Sequence, residues 1–269
     1  MDTPLLADDP QDLLRLARDF VERFWRDAPA GSRLEVVVRV EQTAPVAGDG
    51  DGDQPPLVSA KTGEQRLALD LHVSSLGGLS VDVLQAALDL ELAGALVGAR
   101  PEVNTFNFSR TVLPLFPVTG TALQLVRHLT AHLEEGLKGM MAVQMLVAMG
   151  HAPAQLVHWY HRLGPSDEQA QRYRSMQPHA WIKALWLCRQ WRLFAPIGVL
   201  TKSGLPALAR FWWDCHGYVS AEDRRFMDTL FHLAKPEETG FSQTLVGLFK
   251  QVRDSYLNSS PSPAPSTAA

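Results

Sequence analysis

Arg66-Leu-Ala-Leu-Asp-Leu-His-Val73, followed by Ser80-Val-Asp-Val-Leu-Gln-Ala-Ala-Leu-Asp-Leu-Glu-Leu-Ala-Gly-Ala-Leu-Val-Gly98, decides the fold class. The first stretch alternates, with Leu67, Leu69, Leu71 and Val73 on one face, which predicts a half-buried strand. The second places Val83, Leu84, Ala87, Leu88, Leu90, Leu92, Ala95 and Leu96 around most of a helical circumference. A helix that is apolar nearly all round has to be buried. Ser80 suits its N-cap, and Gly98 and Pro101 stop it. A strand feeding a buried helix implies an α+β arrangement.

Upstream, Asp9-Pro10 reads as an N-cap with proline at the first helical position, opening a helix over 10–27. Leu34 to Val40 is β-branched and predicts a strand, expected to pair with 66–73 as an antiparallel hairpin around the loop 43–57. Downstream, 100–118 reads as irregular with a short strand around Val112. A long helix follows from Thr119 or Thr121 to Ala148. The pattern then stays helical to Leu257, with breaks expected at Gly150, Gly164-Pro165, Pro178, Pro196, Gly204, Gly217 and Pro236. Ser220-Ala-Glu-Asp223 has the form of a helix start with an acidic first turn. The predicted fold is α+β and predominantly α-helical, with a small antiparallel β element near the N-terminus packed on a helical bundle. Its expected parts are 1–150 (α+β), 151–257 (helical) and a low-complexity disordered tail, 258–269.

Of the 269 residues, 46% are apolar and 20% charged, an ordinary globular composition. The net charge of −4 and pI near 6.1 argue against a general nucleic-acid binder. Cys188 and Cys215 are too few for a disulfide framework or a Cys-rich zinc module. The N-terminus lacks the basic and apolar regions of a secretory signal, and no uncharged apolar run reaches about 18 residues. A cytoplasmic protein without a membrane segment is therefore expected. Phosphate-loop, dinucleotide, serine-hydrolase and C-x-x-C signatures are missing from the sequence.

Three patterns could carry chemistry. His128, His132 and Glu135 fall at i, i+4 and i+7 of the long helix, so two imidazoles and a carboxylate line one face. That is a workable donor set for zinc or another divalent metal, though a solvated polar stripe accounts for the same spacing. Residues 158–215 carry eight basic against three acidic side chains, interleaved with His158-Trp-Tyr-His161, Trp181, Trp186, Trp191 and Phe211-Trp212-Trp213. Cations and aromatics can bind single-stranded nucleic acid. However, the three spaced tryptophans advance about 140° each, so they point in three directions and favour burial in a bundle. Asp49-Gly-Asp51-Gly-Asp53 has alternating acids, but Ala60 stands where a calcium loop needs glutamate, so a flexible acidic loop is expected. The two cysteines lie in tryptophan-rich helical stretches and read as inert thiols.

The order helix, two strands, buried helix, second long helix resembles the core of zincin-like metallopeptidases of the minimal gluzincin type, over about residues 10–150. The stretch that would carry H-E-x-x-H is Leu88-Asp-Leu-Glu-Leu-Ala-Gly-Ala-Leu96. Against that motif Glu91 stands at the general base, while Leu90 and Gly94 stand at the two zinc histidines. Glu134 or Glu135 would match the glutamate of the following helix. The resemblance implies a degenerate relative, because zinc is not held without imidazole or thiolate at those positions. Asp82, Asp89 and Glu91 otherwise read in part as an exposed helix edge. The leading expectation is a non-catalytic cytoplasmic protein, a zincin-like pseudoenzyme scaffold for protein interaction or regulation, with another protein as partner and no cofactor. The alternatives are a metal-dependent hydrolase or metal-binding protein using His128, His132 and Glu135, and single-stranded nucleic-acid binding through 158–215.

Overall fold

A computed structural model of the chain describes residues 10–29, 34–41, 57–62, 66–72 and 80–258. The Asp9 cap, Val73, the acidic loop around Asp49–Asp53 and the tail beyond residue 258 lie outside the described residues. The chain is predominantly helical, with a small three-stranded sheet near the N-terminus. It divides into two compact units, neither of them one continuous stretch. Unit 1 comprises 1–97, 142–164 and 200–211, and unit 2 comprises 98–141, 165–199 and 212–269.

In unit 1, α1 (Pro10–Asp27) buries Leu13, Ala17, Phe20, Val21 and Phe24, one helical stripe, and packs on β1. The sheet is β1 (Glu35–Glu41), β2 (Val58–Thr62) and β3 (Arg66–His72), in the order β1-β3-β2. β1 and β3 do not form the expected antiparallel hairpin. β1 pairs with β3 in parallel, Val36 opposite Leu67, and the antiparallel partner of β3 is β2, with Val58 opposite Leu71. β2 runs antiparallel to β3, and β1 runs parallel to it, so β1 and β2 flank β3 with opposite directions. Val58-Ser-Ala-Lys-Thr62 is too short and polar to announce itself as a strand. As the central strand, β3 is buried on both faces from Leu69 onward, so Asp70 and His72 are interior as well as the leucines. Lys61 Nζ donates to Asp70 Oδ2 at 2.8 Å, and Ser59 Oγ lies 3.0 Å from His72 Nε2.

The buried helix α2 spans Val81–Gly98, as its sequence predicts. Residues 101–115 form α3 (Pro101–Asn104), α4 (Phe108–Thr111) and a 3-10 turn (Leu113–Leu115), so the strand expected around Val112 is not formed. Asn107 caps α4, its side chain accepting the Arg110 N–H at 3.1 Å, and this local bond directs the segment into turns. The long helix α5 runs Gly120–Ala148. It is followed by α6 (Ala152–Arg162), α7 (Asp167–Met176), α8 (Ala180–Lys202), α9 (Pro206–Cys215), α10 (Ala221–Leu233), α11 (Pro236–Thr239), α12 (Phe241–Val252) and a π-helical turn (Arg253–Leu257).

The break expected at Pro196 does not occur, because α8 continues through it. Proline there removes the N–H that would bond to the Arg192 carbonyl. Packing inside unit 2 holds the helix together regardless. A Cβ on Gly139 would come within 3.0 Å of Pro196 Cγ, and one on Gly136 within 2.5 Å of the Trp191 ring. Bare glycines thus let α5 and α8 approach closely.

Candidate functional site

The end of α5 sets the geometry of unit 1. Gly150 has φ +83°, the left-handed conformation that glycine adopts without strain. The Gly150 N–H donates to the Val147 carbonyl and the His151 N–H to the Leu146 carbonyl, the paired bonds of a Schellman ending. This fixes His151 at the entrance to α6, where Pro153 occupies the first turn. From there His151, Gln155, His158 and Arg162 recur at spacings of four, three and four, so they form one polar stripe.

That stripe meets α2 and α1. His151 Nδ1 is 2.9 Å from Asp89 Oδ2, and Nε2 is 3.1 Å from Asp27 Oδ2. Both acceptors are carboxylates, so the imidazole donates from each nitrogen and carries a positive charge. Asp89 is only 1% exposed. The Asp89 hydrogen bond, opposed by burial and aided by Asp27, raises the His151 pKa above the ordinary histidine value. The Phe24 ring sits 6.4 Å away, edge-on. One turn along, Gln155 Nε2 donates to the Ala86 carbonyl at 2.9 Å, with the side chain fully buried.

The stripe ends less tidily. His158 is buried, and neither of its ring nitrogens has a hydrogen-bond partner. Burial, then the charges of Arg162 and His161, push its pKa down to about 3, so the ring is neutral. On α2, burial pushes the Glu91 carboxyl up to about 7, with Arg162 pulling the other way. The seam therefore contains one imidazolium closed between two carboxylates, one neutral imidazole, and one carboxyl that titrates near neutrality.

No family model, curated protein or solved structure matches the chain.

The residues singled out by spacing lie in unit 2. His128 is exposed on α5. His132 Nδ1 is 3.9 Å from Glu135 Oε2, and the same oxygen accepts from Arg192 Nη1 at 2.9 Å. Burial raises the Glu135 pKa, but His132 and Arg192 outweigh it and hold the carboxyl at about 2. Glu134 pairs with Lys138 at 2.6 Å. Among the described residues, no group of three or more histidine, cysteine, aspartate or glutamate side chains is placed to hold a metal ion. Arg192 thus engages the Glu135 carboxylate directly. Trp181, Trp186 and Trp191 are all buried, so they present no stacking surface. Cys188 is buried and its thiol pKa is pushed up; Cys215 is raised by burial and by Asp214, and neither is activated.

Unit 2 has its own buried carboxylate. Ser220 caps α10, its Oγ accepting the Asp223 N–H at 3.1 Å, and this places Asp223 in the first turn. Asp223 is fully buried. Its Oδ1 accepts from Tyr256 Oη at 2.7 Å and lies 3.0 Å from Lys183 Nζ; its Oδ2 accepts from Tyr173 Oη and from Ser220 Oγ at 2.9 Å. The Tyr173 hydroxyl also accepts the Ser220 N–H at 2.9 Å. Burial raises the pKa of this carboxyl, and the donors from Tyr173, Tyr256, Lys183 and Ser220 outweigh it, leaving it depressed.

Spacing arithmetic found neither Asp89–His151 nor Asp223–Lys183. Each pair joins residues far apart in the chain, 62 positions in the first case. Two local signals were available: a carboxylate on an otherwise apolar helix, and glycine, histidine and proline clustered after a long helix. The partial reading of Asp82, Asp89 and Glu91 as an exposed edge holds for Asp82 and fails for Asp89.

Proposed function

We propose that the chain is a non-catalytic cytoplasmic protein, built on a degenerate zincin-like scaffold, that acts by binding or regulating another protein. The observation that carries this reading is the state of α2. On the helix where the resemblance calls for zinc ligands and a base, Leu90 and Gly94 offer no donor atoms, and the adjacent Asp89 is closed on His151. A carboxylate held at hydrogen-bond distance by an imidazolium serves to join α2 to the α5–α6 turn and is not free to activate water. A protein partner is supported by a small apolar patch within unit 1. Val157 and Tyr160 are exposed on α6, and the Tyr160 ring packs 4.7 Å from Phe211. No helix among the described residues is long and apolar enough to cross a membrane.

Glu91→Gln and Tyr160→Glu separate the readings. Cross-linking in the protein's own cells, followed by mass spectrometry, is expected to trap one partner through α6. Tyr160→Glu should lose that partner and Glu91→Gln should keep it. Metal bound at about one per chain, together with peptide hydrolysis abolished by Glu91→Gln, would overturn the proposal.

A further inference from the structure

We propose that His151 is a proton-operated latch: when it loses its proton it keeps Asp89, lets go of Asp27, and frees the C-terminal turn of α1. The latch follows from stoichiometry. Both ring nitrogens sit at hydrogen-bond distance from a carboxylate oxygen, and only the imidazolium has two N–H groups to give. A neutral ring retains one, so one carboxylate must be left. The two carboxylates are unequal. Asp89 is 1% exposed, and an ionised group stranded there has no water to replace its partner. Asp27 is 45% exposed at the end of α1 and can be hydrated. The remaining proton therefore stays on Nδ1, facing Asp89, and the Nε2 contact to α1 is the one that opens.

The charged groups that act on His151 are Asp89 from α2 and Asp27 from α1; Phe24, also from α1, contributes an aromatic edge. Both carboxylates favour the charged ring, so the latch is shut at and below the ordinary histidine range and opens as pH rises above it. Opening would loosen the turn that carries Phe24 and Asp27, while β3 provides a reference within the same unit.

Hydrogen exchange on the full chain, read by mass spectrometry between about pH 6 and 9 and corrected for intrinsic exchange, tests this. Protection of 20–28 relative to 66–72 is expected to fall about tenfold with rising pH in the wild type. Asp27→Asn and His151→Gln should both show a flat profile. A wild-type ratio that stays within about twofold, or an Asp27→Asn profile that keeps the full fall, would overturn the latch. Asp27 is partly exposed, so Asp27→Asn decides the matter even where His151→Gln fails to fold.

Discussion

Asp89 in unit 1 and Asp223 in unit 2 are both buried carboxylates, and the two units neutralise them differently. Asp223 is surrounded by two tyrosine hydroxyls, a serine hydroxyl and a lysine ammonium. Hydroxyl and ammonium groups as classes ordinarily keep their protons near neutral pH. Asp89 is paired with one imidazole, the side chain whose charge changes in that range. A surplus of non-titrating donors makes a fixed anchor, whereas a single titratable donor makes a joint that responds to pH. Burial alone does not distinguish them; the identity and number of donors does.

The largest expected effect breaks the anchor. Asp223→Ala removes the carboxylate that pairs with Lys183 and leaves two buried tyrosine hydroxyls without their acceptor, and should cost about 3–5 kcal/mol in urea unfolding. A cost below about 1 kcal/mol would remove Asp223 from the role of anchor. Next, His151→Ala leaves Asp89 buried without its donor and should cost about 1–3 kcal/mol, with His151→Gln recovering part of that.

The pH responses should run in opposite directions. The folded-state pKa of His151 is raised, so its contribution is fully present below about 6.5 and is lost as pH rises through the raised value. The folded-state pKa of Asp223 is depressed, so its contribution is present above about 3.9 and is lost as pH falls through the depressed value. Residue-resolved amide spectra should therefore show alkali loosening the α1 end of unit 1 and acid loosening the start of α10 in unit 2. Glu91 adds to the first trend, since its raised pKa of about 7 makes unit 1 lose stability as pH climbs toward neutrality. Glu91→Gln should remove that lower part of the slope and leave the part due to His151. The smallest effect is Asp27→Asn, expected to cost under about 1 kcal/mol because the side chain is partly hydrated, while abolishing the pH response of α1.

Much of the fold was legible because it rests on local periodicity. Helices 10–27 and 81–98 match their predicted spans, and the Ser80 and Ser220 hydroxyl oxygens accept backbone N–H groups from the first turns they precede. What escaped depends on contacts remote in sequence. The parallel pairing of β1 with β3 needs the short strand β2 in between, and Pro196 stays helical because α5 offers it glycine. The site shows the same division. The spacing of His128, His132 and Glu135 is local and legible in the sequence, whereas the Arg192 contact to Glu135, 57 residues away, is not. His151 and Asp89 carry no motif, and only the folded chain puts them 2.9 Å apart.

The most direct test is an NMR titration of the His151 ring, assigned by its loss in His151→Gln. The account predicts a midpoint above the ordinary value of about 6.5, with both nitrogens protonated below that midpoint. A midpoint at or below the ordinary value would contradict it.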